Sequence, residues 1–398
     1  MRKIRIQKVR AQKFACNLVL LVIALAVSAS AQLTTLASFD SSNGYIPIGP
    51  IARDSAGNIY GSTAYGGGED NPGRVFKIAS DGTITDLYTF CSLPGCADGD
   101  QPLSGVILAT DGNIYGTTFE TVYKLTTSGT LTTLHTFCSL TLCEDGDYAY
   151  GHLVQGSDGN FYGTTAYGGA TQHEACEGGC GTVYKITPAG VLTTLHTFTG
   201  KDGYIPETGL VEGSDGSFYG TTNYLGLYGY GTIFKVSATG AFTLLHSFSL
   251  ADGTGGNINL EGTDGNYYGT AFFNGPQDRG TAFKITPSGH FTLIRSFSKA
   301  TGENPENLIL GPKGNFLGSA AGGGANNGGT IFEMTPTGDM TILYQFCSLS
   351  NCADGSDPSA IMQTANGTLY GATSLGGENG CNEAGTPASC GTVFSFKP

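Results

Sequence analysis

The chain has 398 residues, 11% of them aromatic, and carries 19 Lys and Arg against 32 Asp and Glu for a net charge of −13. A surface of this sign repels phosphate backbones and anionic lipid heads, which excludes nucleic acid as a partner. The 63 Gly and 15 Pro reach the level at which disorder has to be considered, but 20 Tyr and 22 Phe at regular positions contradict it and mark the glycines as turn residues.

The first predicted element is a leader. Residues 2–13 carry Arg2, Lys3, Arg5, Lys8, Arg10 and Lys13 with no acid, an apolar run follows from Phe14 to Val27, and Ala29-Ser30-Ala31 supplies the small-x-small pattern of a signal-peptidase site. We place the cut after Ala31, so residues 1–31 are expected to be a cleaved signal peptide. The apolar run is too short for a membrane span, and Cys16 sits at its start, where it cannot serve as a lipoprotein anchor. Without these six basic residues, 13 basic residues face 32 acidic ones, a mature charge of −19. The mature protein is expected to be soluble, monomeric, and secreted or periplasmic.

Residues 32–398 read as one domain of seven repeats. A first signature recurs as Asn58-Ile59-Tyr60-Gly61, Asn113-Ile114-Tyr115-Gly116, Asn160-Phe161-Tyr162-Gly163, Ser217-Phe218-Tyr219-Gly220, Asn266-Tyr267-Tyr268-Gly269, Asn315-Phe316-Leu317-Gly318 and Thr368-Leu369-Tyr370-Gly371, at spacings of 47 to 57 residues. A second, typified by Val183-Tyr184-Lys185-Ile186, follows each. Both are β-branched and aromatic, as strands require. Dipeptides such as Asp111-Gly112 and Asp158-Gly159 precede the first signature, and Asp81-Gly82 or Ala189-Gly190 follow the second. These predict two-residue type I′ hairpin turns and make each unit a four-stranded antiparallel meander.

Such units at this period predict an all-β, seven-bladed β-propeller. The blades are expected at about 40–90, 91–137, 138–198, 199–248, 249–297, 298–346 and 347–398. The last repeat stops at Pro398 after its third strand, while Leu33-Thr34-Thr35-Leu36-Ala37-Ser38-Phe39 matches the missing fourth. Residues 32–39 should therefore complete the seventh blade and close the ring.

The combined pattern Asp-Gly-Asn-x-Tyr-Gly-Thr-Thr, Gly-Gly, Gly-Thr-Val-Phe-Lys-Ile-Thr-Pro-x-Gly, best seen over residues 156–198, resembles the bacterial tandem repeats called GloVer. The resemblance covers nearly the whole mature chain and implies an exported, propeller-like array with no assigned activity. It carries over no catalytic residue. Leu317, Lys313-Gly314 and a second repeat without Gly-Gly depart from the pattern, and the chain has no apolar or sorting tail of the kind some such proteins carry.

Ten of the 11 cysteines follow the leader and fall into close pairs: Cys91/Cys96, Cys138/Cys143, Cys176/Cys180, Cys347/Cys352 and Cys381/Cys390. In an exported protein this predicts five local disulfides, three of them in a shared Cys-Ser-Leu-x-x-Cys frame. A zinc reading is disfavoured by the loose spacing and by the placement of pairs in different blades. In a meander, connections alternate between the two faces, so every cysteine should lie on one face, with the tight turns on the other. A rigid, variable, stapled face is where a scaffold carries recognition.

The same connections carry acids. Asp98 and Asp100, Asp145 and Asp147, and Asp354 and Asp357 are candidate calcium ligands, since a hard cation takes several carboxylate oxygens, although none follows the ligand order of a known calcium loop. Solvated turn residues are the plainer reading, and no cofactor is expected. His135, His196 and His246 recur at one outer-strand position and read as structural; the signature tyrosines read as packing between blades, and lysines such as Lys77 and Lys185 as snorkelling at blade edges. No local catalytic motif occurs. The expected function is non-catalytic recognition or scaffolding, with a glycan or protein ligand on the stapled face. The alternative is a propeller hydrolase or lyase, calcium-dependent or not, with an axial site. Two or three polar side chains converging at the axis from one set of blades would favour the alternative.

Overall fold

The computed structural model describes residues 32–40, 43–68, 71–169, 176, 178–378 and 390–398; the expected signal peptide lies outside them. They form seven four-stranded antiparallel sheets and no α-helix, only four short 3-10 turns. Blade 3 is representative, with strands Val154–Gln155, Phe161–Thr165, Thr182–Ile186 and Leu192–Thr197 in sequential order. Blade 7 is made of Ser356–Gln363, Leu369–Leu375 and Thr392–Lys397, and Gln32–Ser38 pairs antiparallel with the last of these. The ring closes as expected, which leaves no unpaired edge between the first and last blades.

Cross-strand chemistry explains the signatures. The glycine of the first signature pairs with the aromatic of the second, as Gly163 with Tyr184 and Gly220 with Phe234. A Cβ at Gly220 would stand 2.6 Å from Phe234 Cζ, so the ring needs the glycine to lie flat across the strand. The preceding tyrosine points to the other side of the sheet and packs on the next blade. Tyr115 stacks on Phe161 at 4.1 Å, Tyr162 on Phe218 at 3.7 Å and Tyr219 on Tyr267 at 3.7 Å between ring centroids. All six of these rings are fully buried.

The hairpin turns differ from the expected type I′. In Asp111-Gly112, Asp158-Gly159 and the other Asp-Gly turns before the first signature only the glycine has positive φ, 78° at Gly112 and 79° at Gly159, whereas Lys313-Gly314 of blade 6 is positive at both, 59° and 78°. Gly112 N donates to Ala109 O and Ala109 N to Asn113 O, both at 2.9 Å, which is a three-residue loop of type I geometry ending in a left-handed glycine. The aspartate is not there for φ. Asp158 accepts from Asn160 N at 3.0 Å, from Asn160 Nδ2 at 2.7 Å and from Tyr162 Oη at 2.8 Å, holding turn and buried tyrosine together. Lys124 and Lys235 do not simply reach for water either. They pair with Asp111 at 3.0 Å and Asp215 at 2.6 Å and sit over the rings of Tyr115 and Tyr219.

Blade 6 lacks the whole set at once: Leu317 has no hydroxyl, Lys313-Gly314 offers no acid, and Glu333 stands in the lysine position, accepting from Asn315 Nδ2 at 2.7 Å.

Candidate functional site

The stapled connections are built around buried aspartates. Four disulfides close as the sequence predicts: Cys91–Cys96, Cys138–Cys143, Cys176–Cys180 and Cys347–Cys352. The fifth expected pairing, Cys381 with Cys390, is not among these four. Cys390 is buried and disulfide-bonded, while Cys381 lies outside the described residues. Within the Cys-Ser-Leu-x-x-Cys loops, Asp98, Asp145 and Asp354 are at most 2% exposed. Each gathers two backbone amides and one outer-strand donor. Asp98 accepts from Ser92 N, Leu93 N and Tyr88 Oη, Asp145 from Ser139 N, Leu140 N and His135, and Asp354 from Ser348 N, Leu349 N and Tyr344 Oη. Burial alone would raise the Asp145 carboxyl, but the donors from Ser139 and Leu140 outweigh it and hold it below the ordinary range.

The recurring histidines are the partners of these acids. His135 meets Asp145 at 3.0 Å, His196 meets Asp202 at 2.9 Å and His246 meets Asp252 at 3.3 Å. The signal was present in the sequence as covariation between repeats. Where Thr301 replaces the aspartate, Arg295 replaces the histidine and donates instead to Gly338 O at 2.7 Å.

The second aspartate of each candidate calcium pair takes a different place from the first. Asp100 and Asp147 are partly buried, and burial raises both carboxyls. Asp357 reaches the axis. Among the described residues one group of metal-ligand atoms comes together, at Cys138, Cys143 and Asp147, and its two sulfurs are joined to each other.

The axis is the chemically distinctive region. Entering each inner strand, the backbone passes through one left-handed residue: Ile46, Gln101, Tyr148, Ile205, Gly255, Asn304 and Asp357, with φ between 47° and 64°. Two residues later comes the residue that lines a central cavity of about 520 Å³: Ile48, Leu103, Tyr150, Glu207, Asn257, Glu306 and Ser359. Blades 1 and 2 thus offer aliphatic walls and blades 3 to 7 polar ones. A second cavity of about 630 Å³ shares Tyr150, Glu207, Asn257 and Glu306 with it and reaches Asn223 and Phe272–Phe273, at the outer ends of second strands, so the axial space opens on the face that carries the disulfides.

Burial and the neighbouring Asp357 push the Glu306 carboxyl up to about 8, and among the described residues it receives no hydrogen bond. Burial also raises Asp357, although Ser374 Oγ donates to it, and Glu207, although Asn223 Nδ2 donates at 2.7 Å. Burial and the charge of Glu207 push Tyr150 up to about 12. His152, packed against Gly209, is pushed down to about 4 by burial. The Asn257 Oδ1 atom is buried without a partner. The cavity therefore brings together a carboxyl whose protonated form is favoured, an imidazole whose neutral form is favoured and an unpaired amide oxygen.

The Gloeobacter/Verrucomicrobia repeat matches this chain twice, over residues 25–214 and 208–398. The chain belongs to that family. The two matches together run through all seven blades of this repeat protein. No curated protein matches it in sequence. Among solved structures, the repeat protein is similar to virginiamycin B lyase from Staphylococcus aureus, at 16% identity and a TM-score of 0.62 over 93% of this chain and 100% of the lyase. A second structure of that lyase, a catalytically inactive variant with quinupristin, matches at 17% identity and 0.61 over the same shares. An extracellular domain ascribed to a hybrid two component system from B. thetaiotaomicron matches at 13% and 0.56, over 93% of this chain and 41% of that one. At these identities the likeness is one of fold.

None of the axial residues except Asp357 was singled out by sequence. They are single residues contributed by different blades some fifty positions apart, with no local motif to mark them. The usable signal was that the position two after the left-handed residue varies from aliphatic to acidic while its flanks repeat.

Proposed function

We propose that this exported repeat protein recognises a polar, uncharged small molecule or chain end in its axial cavity and acts on it as a hydrolase or lyase. The observation that carries the reading is the placement of the Glu306 and Asp357 carboxyls together in an axial cavity polar on one side only, where burial favours the protonated form of Glu306. Titratable neighbours whose environments set them apart are the usual basis of acid–base catalysis. Recognition on the stapled face and chemistry at the axis are then one site, since the cavity opens on that face.

In hydrolysis, Glu306 delivers its proton to the leaving oxygen as the C–O bond breaks, and the Asp357 carboxylate takes a proton from the attacking water. In elimination the same carboxylate takes the proton from carbon, and no water is consumed. Glu207, Asn257 and Tyr150 orient the ligand, and Ile48 and Leu103 exclude water on the far side. The four disulfides suit an oxidising compartment, and no helix among the described residues is long and apolar enough to cross a membrane, in keeping with secretion or a periplasmic location.

The test is a turnover screen of the purified mature protein against aryl glycosides and lactones, repeated with Glu306→Gln. Expected is a rate with an alkaline limb near pH 8, abolished in the variant, and a protonated-carboxyl infrared band that disappears over the same range and is missing from the variant. Turnover of no compound by the wild type, or an unmoved alkaline limb in Glu306→Gln, would overturn the catalytic reading.

A further inference from the structure

Two further cavities flank the axial one. On one side, about 420 Å³ is enclosed by Phe119, Asp147, Tyr148, Tyr150 and Tyr167, and Tyr150 is also a wall of the axial cavity. On the other, about 290 Å³ is enclosed by residues including Tyr224, Tyr230 and Asn274. Its Asn223, Gly255 and Phe273 are shared with the axial region. Shared walls make these cavities and the two at the axis one groove that crosses the stapled face from blade 3 through the axis to blades 4 and 5.

A chain of aromatic contacts links the two end cavities directly, through Tyr204, which lines neither. Phe119 meets Tyr148 at 5.1 Å between centroids, Tyr148 meets Tyr167 at 5.4 Å, Tyr167 meets Tyr204 at 6.0 Å and Tyr204 meets Tyr224 at 6.4 Å. These rings differ from the signature tyrosines, which are buried between blades. Tyr148 is 37% exposed, Tyr224 54% and Phe273 54%, although packing would have favoured covering them. An exposed tyrosine presents an apolar ring face with a polar tip.

Charge narrows the occupant. The lining residues include Asp147, Glu207, Glu306 and Asp357 and contain no Lys or Arg. A polyanion would meet like charge with no cation to compensate, whereas amide and carboxyl oxygens placed between ring faces suit a ligand with alternating C–H faces and hydroxyl edges. We propose that the groove binds a linear, uncharged oligosaccharide, with a central sugar at the axis and neighbouring sugars stacked on Tyr148 and Tyr167 at one end and on Tyr224 and Phe273 at the other. The inference rests on the axial reading and names its substrate class.

Calorimetric titration of the mature protein with cellohexaose, xylohexaose, mannohexaose and chitohexaose, and with the matching disaccharides, tests it. Expected is at least one hexasaccharide bound tenfold or more tightly than its disaccharide. Tyr148→Ala and Tyr224→Ala, at exposed positions that should not disturb the melting transition, should each weaken the hexasaccharide about tenfold and by more than the disaccharide. Absence of binding by all four series, equal affinity for long and short members, variants that leave the hexasaccharide untouched, or preference for polygalacturonate or for a tyrosine-rich peptide would each overturn the proposal. Length-dependent binding by a protein that turns nothing over would leave this inference standing and sink only the catalytic reading. Turnover of a small glycoside without length dependence would do the reverse.

Discussion

Tyr162 of blade 3 lies flat on Phe218 of blade 4 with ring centroids 3.7 Å apart. Its hydroxyl, at the far end of the ring, donates to Asp158 in the turn of its own blade. One residue thus joins the two scales on which a propeller must hold together, the hairpin within a blade and the contact between blades.

Removing the two halves of this arrangement should have different effects. Tyr162→Phe keeps the stack and loses a charge-assisted hydrogen bond, with an expected loss of about 1–2 kcal/mol. Phe218→Ala removes the buried ring and should lose about 3–5 kcal/mol. Denaturant midpoints at constant slope measure both, and equal losses would show that the stack contributes little.

The buried loop aspartates should matter more than their staples. Asp145→Ala leaves the amides of Ser139 and Leu140 and the ring of His135 without their acceptor, a loss of roughly 2–4 kcal/mol. The joint replacement of Cys138 and Cys143 by serine opens a short loop and should cost about 2 kcal/mol. The Asp145 carboxyl is held low in the folded state, so its contribution is present above the unfolded value and is lost as pH falls through the folded one. The gap between wild type and Asp145→Ala should therefore narrow below about pH 4.

Glu306 has the opposite sign. Its carboxyl is raised to about 8, so between the ordinary glutamate value and pH 8 the folded state binds a proton that the unfolded state has released. Stability should fall as pH rises through this window, with a slope approaching about 1.4 kcal/mol per pH unit from this group. Glu306→Gln should flatten that slope in denaturation experiments run from pH 5 to 8 and be more stable than wild type at pH 8. A slope unchanged by the substitution would mean that the carboxyl ionises normally.

Leu142 is 62% exposed and sits at φ 58°. The equivalent positions in the other two Cys-Ser-Leu loops are Gly95 at 67° and Asn351 at 56°, residues that tolerate the left-handed region. Leu142→Gly or Leu142→Asn should therefore raise stability by roughly 0.5–1 kcal/mol, relief of backbone strain exceeding the small loss of contact. Differential scanning calorimetry of the three proteins would check this, and a lower transition in both variants would show that the leucine packs usefully.

The repeat count, the meander, the ring closure by Leu33–Phe39 and the four observed cysteine pairings were all legible in the linear chain, because strand alternation, turn glycines and short-range pairing are local and this chain states them seven times. The turn type departs from the Asp-Gly expectation for a local reason too: the dipeptide implies a pair of positive-φ residues, but here the aspartate serves as an acceptor for Asn160 and Tyr162. The pairing of His135 with Asp145 needed the blades to be superposed, since the interval between the partners changes when a Cys-Ser-Leu loop is inserted.

The axial site belongs to a different order of information. Tyr150, Glu207, Asn257 and Glu306 are neighbours only because a closed ring brings the entrances of its inner strands to one axis, and nothing in the residues around each of them requires it. Their altered proton affinities depend on that enclosure as well, for a glutamate in an exposed connection would be an ordinary one. Local chemistry along the chain was enough to specify the propeller, and only the closing of the circle turned scattered side chains into a site.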